Sequence, residues 1–62
     1  LQHISSIELQ NIRHLIGAEM VTASKARMFA GQVNDQQLRT YLDKKARGAE
    51  QNIQRLEQFL MG

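Results

Sequence analysis

Sixty-two residues carrying a net charge of +2, with no proline and no cysteine, allow one domain near the lower size limit for independent folding. They exclude any disulfide or thiolate-metal staple for a small core. No apolar run approaches the roughly 20 residues that cross a bilayer, and nothing resembles a secretory signal, so the expectation is a soluble, intracellular chain with no membrane partner. The eight basic residues are spread along the chain and opposed by six acidic ones, with Lys44, Lys45 and Arg47 the one local cluster. Binding of nucleic acid calls for a denser basic face, with aromatics where single strands are the target, so no nucleic-acid partner is expected.

The first element is announced by Ser5 and Glu8, a capping box in which hydroxyl and carboxylate satisfy each other's free backbone N–H groups. From there an apolar stripe at helical spacing runs through Leu9, Ile12, Leu15, Ile16, Ala23, Ala26 and Ala30, predicting a helix over about 6–30. Gly31 is placed to end it in the left-handed conformation, which glycine enters without steric cost. A turn over 31–34 follows. Asn34 with Gln37, or equally Asp35, supplies the next N-cap, and a second helix is expected over about 35–60. Its stripe is Leu38, Leu42, Ala46, Ala49, Ile53, Leu56 and Leu60. So short a connection makes the helices antiparallel neighbours, each about 35–40 Å long.

The helices differ in how much apolar surface they carry. The second has a polar back of Gln37, Thr40, Lys44, Arg47, Gln51, Gln54, Arg55 and Gln58. The first adds Ala18, Met20, Val21, Met28 and Phe29 to its main stripe, with Val21 and Met28 almost opposite the core. A helix apolar on several sides is buried on several sides, and one neighbour covers only one. The expected architecture is therefore all-α: a hairpin that dimerises, helix 1 against helix 1, into a ferritin-like four-helix bundle. Ala18, Val21 and Met28 are the expected interface. The alanines at 23, 26 and 30 allow close approach near the turn, and Ile12, Leu15, Ile53, Leu56 and Leu60 are expected to fill the open end. Gly17 and Gly48 both fall mid-helix near the level of Glu19, where they mark either close backbone approach, or a kink, or tolerated exposed positions.

Glu19 stands in the middle of the helix 1 stripe, where a hydrophobe is expected. A buried carboxylate needs a hydrogen bond, a cation or a proton. The favoured reading is a buried polar group held by Lys45, with Tyr41 and Asn52 on the same flank, or by a partner across the dimer, which would fix the register of alanine-rich helices; partial exposure of the carboxylate is the other structural reading. The alternative is a minimal ferritin-like metal-binding protein using Glu19 and Glu50. Ferritin-like bundles pair a Glu on one helix with Glu-x-x-His on the next, and here Ile53 stands where the imidazole belongs. Without nitrogen ligands such a site favours harder ions, and no metal or other cofactor is expected. His3 and His14 read as surface residues. Ser5, Ser6 and Ser24 have no His–acid arrangement to activate them, and there is no phosphate-binding loop, so no enzyme is expected.

Taken in order, several features form a wider pattern. Leu15-Ile16 precedes Glu19, Lys25-Ala26 follows, and Phe29-Ala30 ends helix 1. A turn through Val33 and Asp35 leads to Gln37-Leu38-Arg39, then Gln51-Asn52-Ile53, Leu56 and Phe59-Leu60. From about Ile12 onward the chain resembles the spore coat protein F-like family of endospore-forming bacteria, whose helical hairpins are similar to half of a ferritin-like bundle. Relatives often carry Asp-Pro at the turn and His in the middle of helix 2, where this chain has Asp35-Gln36 and Ala49, Glu50 and Asn52. The resemblance implies a small non-enzymatic structural protein of sporulation, placed in the mother-cell cytoplasm or the spore coat. Its partners would be a second copy of itself and other coat proteins.

Overall fold

The computed structural model describes residues 4–61; His3 lies outside them. At the start of the chain the Ser5 hydroxyl accepts from the Glu8 amide at 3.2 Å, while the Ser5 amide donates to the Glu8 carboxylate at 2.9 Å. That reciprocal box starts helix α1, Ser6–Ala30. The backbone hydrogen bond from Ser5, then that from its side chain, holds the Glu8 carboxyl below its ordinary pKa. Helix α2, Gln36–Met61, starts on Asp35, whose carboxylate accepts from the Leu38 amide at 2.8 Å. The described residues hold these two helices and no strand, packed on each other as a hairpin with principal extents of 46 × 16 × 12 Å.

The connection differs in one respect from the sequence expectation. Gly31 is right-handed, with φ −73° and ψ −15°, and no described glycine has a positive φ. Helix α1 ends by tightening instead of reversing its hand. The amides of Gly31, Gln32 and Val33 bond back to Arg27, Phe29 and Phe29 at 3.0–3.1 Å, which satisfies carbonyls that a left-handed glycine would otherwise have served. Arg39 then reaches back from the first turn of α2 and donates to the Val33 carbonyl at 2.8 Å. This fixes the bend against the helix that follows it.

Ala23, Ala26 and Ala30 of α1 meet Ala46 and Ala49 of α2, and these five are the buried residues among those described. Small side chains let the two backbones approach along this seam. Toward the open end Ile12, Ile16, Ile53 and Leu56 are half-buried, whereas Leu15 and Leu60 are exposed. The large residues expected to fill that end therefore do so only in part. The reason is geometric: two cylinders touch along one line, and bulky side chains on either side of it stay in water.

Candidate functional site

Two cross-helix contacts sit on opposite flanks of the alanine seam. On one flank Arg27 makes a forked contact with Glu50, Nε to Oε2 at 2.9 Å and an Nη to Oε1 at 2.8 Å, with both side chains about half exposed. The guanidinium hydrogen bond is the main cause of a lowered Glu50 pKa and of a raised Arg27 pKa. Asp43 adds to the field at Arg27, and Arg47 to the field at Glu50. The periodicity singled out Glu50 only as a possible metal ligand. It did not single out Arg27, although position 27 on α1 and position 50 on α2 both lie one step off the seam on the same side. That spacing was the available signal.

On the other flank lies Glu19. It is half-buried, and its carboxylate accepts from the Asn52 side-chain amide at 2.5 Å. Lys45 is exposed and makes no ion pair among the described residues, and no charged or polar residue is fully buried in the single hairpin. Asn52, not Lys45, is thus the partner that Glu19 finds within its own chain. An amide suffices at this depth, because Glu19 is only half-buried and no full neutralisation is needed.

Glu19 and Asn52 form the centre of an open groove along this flank. Leu15, Ala18, Arg55 and Leu56 line it on the side of the chain ends, and Thr22, Lys44, Lys45 and Gly48 on the side of the turn. At Gly17 and Gly48 an added Cβ would meet nothing within 4 Å, so neither glycine serves close approach within the hairpin. Ala18, Val21 and Met28 are exposed, Val21 at 52% and Met28 at 51%. Phe29, Tyr41 and Phe59 are exposed as well.

The arrangement limits the chemistry. Both oxygens of Glu50 are engaged by Arg27, so that carboxylate is neutralised by a guanidinium. No three His, Cys, Asp or Glu residues come together among the described residues. His14 is exposed on α1. No described helix is long and apolar enough to cross a membrane. What the hairpin does present is apolar surface on a scale that its own core does not absorb. Comparison of the chain with family models, with curated proteins and with solved structures gives no match.

Proposed function

We propose that this chain is a non-enzymatic interaction protein that works as a homodimeric four-helix bundle, with α1 supplying most of the interface. One observation carries the reading: the buried core is five alanines, while Ile7, Leu15, Met20, Val21, Met28 and Phe29 of one helix all stand exposed. Burial stabilises by about 25 cal/mol per Å² of apolar surface, so five alanines contribute little against the cost of ordering two long helices. Placing a second hairpin on α1 removes the larger side chains from water and completes a bundle of the commonest symmetry. Leu15, Ala18 and Phe29, on the groove side of α1, form the centre of this interface, whereas Val21 and Met28 stand almost opposite the seam. A structural role in the spore coat, alongside other coat proteins, rests on the family resemblance. The metal-binding alternative gains no support from the geometry, because Glu50 is already paired.

Analytical ultracentrifugation across the micromolar range tests the assembly. A dimer is expected, weakened by Leu15→Glu or Ala18→Glu with helicity retained. A folded, helical monomer at these concentrations would remove the reading. The coat role has its own test, in which a tagged copy is followed through growth and sporulation. Enrichment in purified spores is expected, whereas uniform vegetative abundance with none in spores would refute it.

A further inference from the structure

The two flanks of the hairpin are unequal, and the inequality assigns the covered side. Each helical residue advances about 100° around its axis. On α1 that step puts Arg27 on one side of the alanine seam, and Leu15, Thr22 and Phe29 on the other. On α2 it puts Glu50 on one side, and Asn52, Tyr41 and Phe59 on the other. The Arg27–Glu50 flank is a closed, solvated ion pair. The Glu19–Asn52 flank is a groove with large apolar side chains at both ends and polar ones in the middle.

Within that groove Glu19 is the one acid beside Lys44, Lys45 and Arg55, and among the described residues it is paired with none of them; of the three, Lys45 lies nearest the seam. Glu19 is bonded to Asn52, and Lys45 lies seven residues before Asn52 on the same helix, about 10 Å nearer the turn. A symmetric interface demands that if residue i of one copy meets residue j of the other, j also meets i. A two-fold axis crossing the groove midway between these levels, near Thr22 and Gly48, meets that demand. It lays Glu19 of each copy at the level of Lys45 in the other. The same axis sets Leu15 against Phe29, because they lie seven residues on either side of Thr22. The apolar pair is thus compatible with the register that the charges select.

Resting on the dimer proposed above, we infer that the second copy lies antiparallel across the Glu19–Asn52 groove, with two reciprocal Glu19–Lys45 ion pairs between copies. Lys45 thus serves the neighbouring chain's carboxylate. The bundle core holds a neutralised polar layer at its centre, which disfavours sliding of the alanine-rich helices.

Charge reversal tests the register. Glu19→Lys and Lys45→Glu should each weaken the dimer about tenfold or more by sedimentation, and the double variant should recover most of the loss. Arg47→Glu, on the Glu50 side, should leave it unchanged. Circular dichroism on each variant separates lost assembly from lost folding. Because the chain has no cysteine, a single introduced thiol reports alone: Thr22→Cys should oxidise to a linked dimer, and Arg47→Cys should not. A dimeric wild type whose charge variants are unaffected, or whose double variant fails to recover, overturns this register and leaves the dimer standing. Linkage through Arg47→Cys in place of Thr22→Cys overturns it in the same way. A monomeric wild type removes both.

Discussion

At Gly31 the backbone is right-handed, and a Cβ built there lies 3.5 Å from the Met28 carbonyl oxygen, an ordinary contact. Gly31→Ala should therefore stabilise the hairpin by up to about 1 kcal/mol, read as a raised denaturant midpoint at constant slope. Had the residue been left-handed, the same change would have cost stability. Gly17→Ala carries the same expectation, since the space around it is open. Gly48 also has open space but lines the groove, so an alanine there gains helix propensity while adding a methyl group to the face proposed to be covered. Gly48→Ala should help α2 and weaken the dimer. At Glu19 the half-burial decides magnitudes. Asn52→Ala removes one hydrogen bond to a carboxylate that water can still reach, and should cost the isolated hairpin about 1 kcal/mol. In an assembly that covers the groove the same change should cost several-fold more, so the loss should grow with protein concentration.

At the scale of the elements, each helix is held at its N-terminus by a specific side chain. Asp35 is the better test, because its bond to the Leu38 amide positions the first turn of α2 directly after the bend. Asp35→Ala should lower stability by about 1 kcal/mol, whereas Asp35→Asn or Asp35→Ser should recover most of it. Between the helices, Arg27–Glu50 is an exposed pair, and its loss should be small and screened by salt. Its pH dependence has a definite sign. Glu50 is held below its ordinary pKa in the folded chain, so the pair's contribution is fully present above the unfolded value of about 4.3 and is lost as pH falls through the lower folded value. Arg27 is raised instead, and its contribution would be lost only at strongly alkaline pH. Urea midpoints compared for wild type and Arg27→Ala should separate above the unfolded carboxylate range and converge as pH falls through the lowered Glu50 value.

For the whole molecule the decisive quantity is what the seam leaves uncovered. A core of five alanines among the described residues, beside exposed Phe29, Tyr41 and Phe59, makes association a large part of the stability of the proposed bundle. Thermal unfolding should then depend on protein concentration, with the midpoint rising several degrees for each tenfold increase. A midpoint independent of concentration would show that the hairpin is stable without a second copy. A charge introduced at Leu15 or Ala18 should lower the midpoint most at high concentration, where the wild type is fully associated.

Local rules made the two helices legible. The 3.6-residue stripe, the Ser5–Glu8 box and the Asp35 cap depend on neighbours within one turn, and a short connection leaves antiparallel packing as the available geometry. The excess of apolar side chains on α1 was legible for the same reason, since periodicity assigns a face to every residue. Three features were decided only by the tertiary arrangement. The end of α1 kept its hand because the Gln32 and Val33 amides bond to the Phe29 carbonyl from beyond the helix, with Val33 held in turn by Arg39. Glu50 went to Arg27, and Glu19 to Asn52, because the relative level of two antiparallel helices selects which flanking residues meet. Sequence spacing along one helix sets the face of a side chain, but only the packing of the second helix sets its height opposite a partner. That height turned two carboxylates resembling a metal pair into one half of an ion pair and the centre of an open groove.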